Sequence, residues 1–277
     1  MELSLVIPTL NSSGFIKGVI EKILPELPAN VKEVIIVDDS SADNTFKVLN
    51  EALVHPSIPI RLIRLQHNYG QAYATKIGIE LATFDYVVVF DDDLQYPISE
   101  IHKLIQKAES VKDFQIVIGH KEKDLSPVSN YRKFTTTIFI VLKYLFIPQV
   151  RNLSSITSFV LINKKELVNY HPIYVWELKS SKAFSVSVNT NTTKNRKSNY
   201  TLSKYLTHFL PLLVFVLFKS TLTIGFVALL LYIKDGGNTM KIISIVLLLL
   251  SILLKLQLHL LKHKKVVVKD KYEFDPV

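Results

Sequence analysis

The sequence predicts an α/β protein in which a mostly parallel sheet is flanked by helices and followed by a C-terminal transmembrane helical hairpin. The first part of the chain alternates short apolar runs with helical segments, a spacing typical of right-handed β-α-β units. After residue 205 come two long apolar segments, each close to the roughly 20 residues needed to cross a bilayer. A length of 277 residues suffices for one sizeable α/β domain with such an appendage.

Five apolar runs before residue 120 are predicted strands. The first, residues 3–7, is stopped by Pro8. The fourth, residues 86–90, is a continuous Tyr-Val-Val-Val-Phe run of the kind that is buried on both faces of a parallel sheet. The other three strands are residues 34–37, 60–65 and 114–118.

Helical segments separate these strands. Ser12-Ser13-Gly14 leads into the first helix, Asp43-Asn44 supplies a cap for the second, and the turn Asn68-Tyr69-Gly70 precedes the third. The predicted helices are residues 15–24, 45–53, 72–82 and 99–110.

The pattern is looser after Gly119. Residues 121–130 predict a polar loop, residues 131–146 a helix with an apolar face, and residues 150–162 a strand that returns to the sheet. Residues 179–200 are rich in Ser, Asn and Thr and predict a loop region. The sheet domain is therefore assigned to residues 1–200.

The C-terminal segment predicts two transmembrane helices, at residues 209–233 and 240–262. A turn with the sequence Lys-Asp-Gly-Gly-Asn separates them, which favours a hairpin. Residues 201–218 form a juxtamembrane segment, either an interfacial helix over 206–218 followed by a shorter, tilted span or the start of the first span. The alternative to a membrane hairpin is a pair of buried helices in a soluble protein.

Charge and composition narrow the class of protein. The chain has no cysteine, which excludes disulfides and thiolate metal sites. Its net charge is +9, yet it has no long basic arm of the kind that binds nucleic acid. The excess of basic residues therefore predicts anionic lipids and phosphorylated substrates as partners. Basic residues flank both ends of the hairpin and place the domain and the tail at 263–277 on the cytoplasmic face. They are Lys194, Arg196, Lys197 and Lys204 before it, and Lys262, Lys264, Lys265, Lys269 and Lys271 after it.

The run Asp91-Asp92-Asp93 follows the fourth predicted strand directly. Three carboxylates this close repel one another unless a cation or strong donors offset the repulsion. Mg²⁺ and Mn²⁺ prefer oxygen ligands and keep positions open for water and phosphates. An acidic surface turn is the alternative, but the carboxyl end of a buried parallel strand is where open α/β sheets bind ligands.

A second acidic pair, Asp38-Asp39, also follows an apolar strand. With the two clusters on neighbouring strand ends, one would accept hydrogen bonds from a nucleobase or ribose while the other coordinates a metal on the diphosphate. The alternative is a turn that only caps the next helix.

Four motifs together resemble those of family 2 glycosyltransferases with the GT-A fold, a Rossmann-like sheet. They are VIPTLN at residues 6–11, VDDSSADNT at 37–45, NYGQAYATKIGIELA at 68–82 and FDDDLQYP at 90–97. The DLQ sequence, RKSNYTLSKYL at 196–206 and the hairpin narrow the resemblance to polyprenyl-phosphate glycosyltransferases of the dolichol-phosphate mannose synthase type. It covers residues 3–119 well, 196–206 moderately and 120–195 poorly.

The resemblance implies roles for particular residues. Asp91 and Asp93 are the implied metal ligands, assisted by Gln95. The implied nucleotide-sugar contacts are Pro8, Asn11, Asp38, Asp39, Asn68, Gly70, Gln71 and Asp92, although Asp92 is the variable middle residue of its run and solvent exposure is its alternative. The implied lipid-phosphate contacts are Arg132, Arg196, Lys197, Ser198, Tyr200 and Lys204.

The implied function is transfer of a sugar from a nucleotide-diphosphate sugar to a polyprenyl phosphate at the cytoplasmic leaflet, with Mg²⁺ or Mn²⁺ as cofactor. An ionised phosphate acceptor needs positioning and charge neutralisation more than a strong general base. Two alternatives stay open: another lipid-linked or saccharide acceptor in envelope polysaccharide synthesis, and a non-catalytic nucleotide-sugar-binding membrane scaffold. A homo-oligomer also stays open.

The chain departs from the family pattern at two places. Ser12 stands where relatives often have a glutamate, and Ser158-Phe159-Val160 lacks the aspartate and arginine of a DFR-like strand. The second departure keeps the alternative acceptors open. His120, after Gly119, is a further candidate near the metal, with a structural histidine as its alternative.

Overall fold

The computed structural model describes residues 1–53, 56–111, 113–121, 157–167, 180–191, 214, 217–218, 220–230, 238–262 and 266–276. The chain divides into two compact units. The first comprises Met1–Lys133, Pro148–Arg196 and Val266–Val277, and the second comprises Phe134–Ile147 and Lys197–Lys265.

The first unit contains a sheet that has eight strands within the described residues. They are β1 (Leu3–Thr9), β2 (Val31–Asp38), β3 (Ile60–Leu65), β4 (Tyr86–Val89), β5 (Ile116–Lys121), β6 (Val160–Asn163), β7 (Ala183–Val188) and β8 (Val268–Phe274). Its helices are α1 (Ile16–Ile23), α2 (Thr45–Ala52), α3 (Gln71–Leu81) and α4 (Ile101–Val111). All five strands and four helices predicted before residue 120 are present, with ends that differ by a few residues.

The strand order is β7-β5-β6-β4-β1-β2-β3-β8. Strands β4, β1, β2 and β3 run parallel to one another, and β5 runs parallel to β7. Strands β6 and β8 are antiparallel to their neighbours. The prediction of a mostly parallel sheet flanked by helices is confirmed. The direction of winding reverses at β1, which lies between β2 and β4, and such a reversal opens a crevice at the carboxyl ends of the strands.

Apolar side chains of the central strands alternate between two buried layers. Leu5 and Ile7 point into the main core together with residues of α1 and α4. The opposite face is covered by α3, whose Gly78 sits so close to β1 that an added Cβ would lie 2.4 Å from Val6 Cγ1. Because both faces are covered, the strands are continuous apolar runs, and this is why the sequence predicts them so clearly.

A network centred on Glu33 joins four segments near the amino ends of the strands. Oε1 of the buried Glu33 accepts hydrogen bonds from Ser4 Oγ and from the Thr83 amide, both at 2.6 Å, and Oε2 accepts from Arg61 at 2.5 Å and from Thr83 Oγ1 at 3.0 Å. Burial by itself would raise the pKa of the Glu33 carboxyl, but these donors outweigh it and hold the pKa below the ordinary value. The network is a brace on the side of the sheet away from the crevice.

Two parts of the chain differ from the sequence prediction. Residues 179–200 were predicted as a loop, which is wrong for β7. In β7 the apolar residues alternate with small residues, two of them serines, as in an edge strand with one buried face. The tail was predicted only as basic, yet β8 pairs with the edge strand β3. The strand predicted at 150–162 is confirmed over β6, while residues 150–156 lie outside the described residues.

The second unit contains the helices α5 (Ser220–Leu230) and α6 (Asn238–Lys262). Small and hydroxyl side chains are buried in this unit, while large apolar side chains of α6 such as Ile242 and Leu253 are more than half exposed. The helices touch at Gly225, where an added Cβ would lie 3.2 Å from Leu247 Cβ. Buried small residues and exposed large apolar residues are typical of helices packed in a membrane.

Among the described helices, one is long and apolar enough to cross a membrane, over Lys241–His259, with a mean hydropathy of 2.2. It falls within the second predicted span. The first predicted span is only partly described, and its helix α5 is shorter. The hairpin with two spans therefore stays a prediction.

Candidate active site

The crevice is formed by the loops that follow β1, β2, β3 and β4. Within the described residues, each of these loops contains one residue with a positive φ, and no other described residue has one. They are Asn11 (52°), Ser40 (60°), Gly70 (97°) and Leu94 (52°). Left-handed backbone is costly for residues other than glycine and is concentrated at functional sites, so this edge of the sheet is a candidate site.

The loop after β2 is organised by two buried aspartates. Asp38 accepts hydrogen bonds from the amide and the hydroxyl of Ser41, and its Oδ2 lies 3.5 Å from Arg64 Nε. Burial nevertheless raises the pKa of the Asp38 carboxyl. Asp39 points to the neighbouring loop and accepts hydrogen bonds from the amides of Tyr69 at 2.8 Å and Gly70 at 2.7 Å. Asp38 therefore shapes its own loop, and Asp39 holds the next one.

The loop after β3 presents two exposed side chains, Asn68 and Gln71. Gly70 is required between them because its φ of 97° is unfavourable for other residues, and α3 begins directly after it. Gln71 Nε2 donates to Asp91 Oδ1 at 2.7 Å. This hydrogen bond joins the loop after β3 to the acidic run after β4.

Asp91 is the first carboxylate of the acidic run and is half-buried. It accepts hydrogen bonds from Ser158 Oγ and Gln71 Nε2. Burial raises the pKa of the Asp91 carboxyl to about 6. The Ser158 hydrogen bond opposes this rise, and the charges of Asp93 and Asp92 reinforce it. A bound cation would relieve this electrostatic cost.

Asp92 connects the loop after β4 with the end of β1. Its Oδ2 accepts hydrogen bonds from Thr9 Oγ1 at 2.7 Å and from Ser12 Oγ at 2.5 Å. Ser12 is the residue that stands in place of the family glutamate, and its hydroxyl is used to hold the acidic run. The half-buried Asp92 therefore fixes the acidic run to the loop after β1.

The last part of the acidic loop is braced by Asn191. Asp93 Oδ1 accepts a hydrogen bond from the Gln95 amide at 3.0 Å. The Asn191 amide donates to the Gln95 carbonyl, and its side chain donates to the carbonyl of Leu94, each at 2.8 Å. Nearby, the buried Glu100 accepts from the backbone and side chain of Asn189. The segment after β7 thus fixes the backbone that presents Asp93 and Gln95.

Asn11 and Pro8 are placed between the two acidic clusters. Pro8 is buried in β1 beside Val37 of β2. The Asn11 amide donates to Ser41 Oγ, and Asn11 Oδ1 accepts from the Ala42 amide, each at 2.9 Å. The clusters were predicted on neighbouring strands, which is wrong because β1 lies between β2 and β4. The loop after β1 therefore bridges them.

Oxygen donors at the end of β4 fit a hard divalent cation. Within the described residues no group of three or more His, Cys, Asp or Glu side chains is arranged to hold a metal ion. Asp91, Asp93 and Gln95, which all belong to the loop after β4, offer oxygen atoms of the kind that Mg²⁺ or Mn²⁺ binds together with water and phosphate oxygens.

Some predicted residues lie outside the described residues. These are the implied lipid-phosphate contacts Arg132, Arg196, Lys197, Ser198, Tyr200 and Lys204. His120 is described, and no partner is found for its buried Nδ1 in the part of the chain that the structure covers. The hydroxyls of Thr9, Ser12 and Ser158 were not predicted as site residues, and only the two departures from the family pattern pointed to Ser12 and Ser158.

The first comparison with known proteins gives the family. A sequence profile described as Glycosyl transferase family 2 matches residues 4–163, more than half of the chain. The chain belongs to glycosyl transferase family 2. The matched residues of this family 2 glycosyltransferase include the acidic clusters and the loops that follow β1, β2, β3 and β4.

Curated relatives of this family 2 glycosyltransferase include two transferases. A dolichol-phosphate mannosyltransferase of Pyrococcus furiosus is 30% identical over 171 residues, which are 61% of this chain and 47% of that protein. An undecaprenyl-phosphate 4-deoxy-4-formamido-L-arabinose transferase of an Enterobacter species is 32% identical over 44% of this chain and 38% of that protein. The chain thus spans about half or less of the length of these relatives.

Solved structures agree on the fold. The glucosyl-3-phosphoglycerate synthase of Mycobacterium tuberculosis, in complex with Mn²⁺ and UDP-glucose, superposes on this family 2 glycosyltransferase with a TM-score of 0.61. The alignment covers 78% of each chain at 17% identity. The similarity therefore extends through most of the sheet domain and shows a GT-A-like fold.

Proposed function

We propose that this chain is a membrane-anchored, metal-dependent enzyme that transfers a sugar from a nucleotide-diphosphate sugar to a polyprenyl phosphate at the cytoplasmic leaflet. The observation that carries the proposal is the crevice at β1. There the Asp39-held loop of Asn68 and Gly70 faces the acidic run, and Gln71 joins them through Asp91. This arrangement supports donor binding by one loop and cation binding by the other.

The donor half of the proposal assigns roles to the residues of the crevice. Pro8, Asn11 and the Asp38-Asp39 pair would surround the nucleoside, and the exposed Asn68 and Gln71 side chains would approach the sugar diphosphate. A cation held by Asp91 and Asp93, with Gln95 nearby, would neutralise the charge of the departing nucleoside diphosphate. Either Mg²⁺ or Mn²⁺ suits these oxygen donors.

The acceptor half is supported by the curated relatives, since both names contain a polyprenyl phosphate. A phosphate oxygen is already ionised, so the enzyme needs to orient it and neutralise its charge rather than remove a proton. The residues predicted for this task are Arg132, Arg196, Lys197, Ser198, Tyr200 and Lys204, of which the arginines and lysines carry the positive charge.

Membrane anchoring is supported by the second unit. Its helices α5 and α6 bury Thr221, Ala228, Ser244 and Ser251 and expose large apolar side chains, which suits contact with lipid tails. The first unit includes both Pro148–Arg196 and Val266–Val277, on either side of the apolar segment. A segment that leaves and rejoins the same soluble domain crosses a bilayer an even number of times, which supports two spans. The flanking lysines and arginines favour the cytoplasmic side.

A donor panel tests the catalytic proposal. The purified protein in detergent, with Mn²⁺ or Mg²⁺ and polyprenyl phosphate, should convert one of a set of UDP- and GDP-sugars into a mild-acid-labile glycolipid. Asp93→Asn should lose about 100-fold or more of this activity while still inserting into membranes, because charge neutralisation in the transition state is lost.

Other outcomes of the panel separate the alternatives. Nucleotide binding without any product would favour the scaffold, and product formed only on a saccharide would favour a different acceptor. Normal turnover by Asp93→Asn would refute its metal role.

An internal deletion tests the anchor. Residues 197–265 would be replaced by a flexible Gly/Ser linker, and residues 266–277 would be kept because β8 belongs to the sheet. We expect the shortened protein in the soluble fraction and the full chain in membranes after a high-salt wash. Retention of both proteins in the membrane pellet would show that another part of the chain provides the anchor.

A further inference from the structure

We infer that the C-terminal strand β8 positions the Asn68–Gly70 loop for nucleotide-sugar binding, so that the end of the chain is a working part of the donor site. The inference rests on the proposed donor role of this loop. It assigns to residues 266–274 a task that their sequence, a short basic stretch after an apolar helix, does not indicate.

Strand β8 contacts the segment that leads from β3 into the loop. Strand β8 pairs antiparallel with β3 from Ile60 to Leu65. At the end of this ladder the Gln66 amide donates to the Val267 carbonyl at 2.9 Å, and the Val267 amide donates to the Tyr69 hydroxyl at 3.2 Å. Both backbone groups of Val267 are therefore used on the segment that leads from β3 into the loop.

Tyr69 is held from two sides. Its backbone amide donates to Asp39 of the β2 loop, and its hydroxyl accepts from Val267 of the C-terminal segment. Directly after Tyr69 the chain reaches Gly70, which has a φ of 97°, and α3 begins at Gln71. Fixing one residue at both its backbone and its side-chain end reduces the conformations open to the loop before a ligand binds.

Another contact lies further along the same strand. The Tyr272 ring packs edge-on against Phe46, with 5.5 Å between centroids, and the Arg64 guanidinium lies 5.2 Å above the Phe46 ring. Arg64 in turn donates to the Ser41 carbonyl at 3.2 Å and lies beside Asp38. Strand β8 thus also supports the side chain that neutralises the buried acid of the β2 loop.

A role as a plain edge cover would need only the backbone ladder to β3. The hydrogen bond to Tyr69 lies beyond the ladder and reaches a side chain of the donor loop, and it is the contact that can be removed without disturbing the sheet.

The test uses Tyr69→Phe in the full-length protein. Loss of this hydrogen bond should weaken nucleotide binding about fivefold, measured by titration calorimetry with Mn²⁺ and UDP or GDP, whichever the unaltered protein binds. Hydrogen exchange of the Tyr69 and Gly70 amides should accelerate by a similar factor. Tyr86→Phe, which removes a hydroxyl at the amino end of β4, is the matched control and should leave both measurements within about twofold.

Kinetics separate positioning from stability. The positioning role predicts that the donor KM of Tyr69→Phe rises about fivefold with kcat within about twofold, whereas partial unfolding would lower kcat and leave KM unchanged. Unchanged nucleotide affinity and unchanged exchange in Tyr69→Phe would overturn the inference, as would a change in kcat alone. A second variant that ends at Lys265 should weaken nucleotide binding by more than about tenfold, since it removes the whole strand.

The outcome for the unaltered protein separates this inference from the proposed function. Nucleotide binding without glycolipid formation would refute the proposed transfer, while the affinity of Tyr69→Phe would still decide the role of β8. Absence of nucleotide binding in the unaltered protein would overturn both.

Discussion

The carboxyl of Asp91 should make divalent-cation binding strongly pH-dependent between pH 5 and 7. In the structure, burial and the charges of Asp93 and Asp92 outweigh the Ser158 and Gln71 hydrogen bonds and raise the Asp91 pKa to about 6 from 3.8. A carboxyl must lose its proton to bind a metal ion, so protons and cation compete at this residue. Because the pKa is raised, the neutral form persists up to about pH 6 and the affinity is lost as the pH falls through that value.

The size of the effect follows from the pKa. With a pKa of about 6, roughly one Asp91 in eleven is ionised at pH 5, so Mn²⁺ should bind about tenfold more weakly than at pH 7. With the ordinary pKa of 3.8, the affinity would change by less than about 10% over the same range. In the absence of metal, the same raised pKa means that folding stability falls as the pH rises from about 4 to 6.

Calorimetric titration of the detergent-solubilised protein with Mn²⁺ at pH 5, 6 and 7 measures this dependence. The control is His120→Gln, a substitution outside the acidic run, and this variant should keep the tenfold change. Equal Mn²⁺ affinity at pH 5 and pH 7 would refute either the raised pKa or the assignment of Asp91 as a ligand. Loss of the pH dependence in His120→Gln would show that Asp91 is not its source.

Two further predictions concern stability and are measured by thermal unfolding. Gly78→Ala should destabilise the protein by about 1–3 kcal/mol because the added Cβ would meet Val6 Cγ1. Gly18→Ala in α1 should stabilise the protein by up to about 1 kcal/mol because nothing lies within 4 Å of the added Cβ. Stability changes of the same sign in the two variants would contradict the packing described for α3. Glu33→Gln should cost about 2–4 kcal/mol because it leaves Arg61 without its buried partner, while Glu51→Gln, in an exposed pair with Lys47, should change stability by less than about 0.5 kcal/mol. Since the Glu33 pKa is lowered, its contribution is present above pH 4.5 and lost as the pH falls, so a Glu33→Gln deficit that stays constant down to pH 3 would refute the network's role.

The sequence was sufficient for the central part of the fold. Strands β1, β2 and β4 are largely apolar because they are buried on both faces, and the helices between the strands carry the 3.6-residue pattern of one buried side. Both kinds of pattern are local, so they can be identified without knowing the neighbours. The two acidic clusters were located in the same way, since each follows a predicted strand directly.

The edges of the sheet were not predictable to the same degree. Strand β7 is interrupted by serines and half-exposed, and β8 is rich in charged residues, so neither has the apolar run that marks a buried strand. Each forms a strand because a neighbour offers unpaired backbone groups, β5 to β7 and β3 to β8. That neighbour is supplied by the fold and not by the local sequence.

The sequence by itself determined the α/β class, the acidic loops at strand ends and the family to which the chain belongs, because each depends on residues that are close together in the chain. Only the tertiary structure decided that β1 separates the two acidic clusters, that Ser12 holds Asp92 across 80 residues, and that the chain end contacts Tyr69. Hydroxyl and amide partners of this kind follow no periodic pattern. Their roles arise when distant segments meet at one edge of the sheet, where buried carboxylates must find donors.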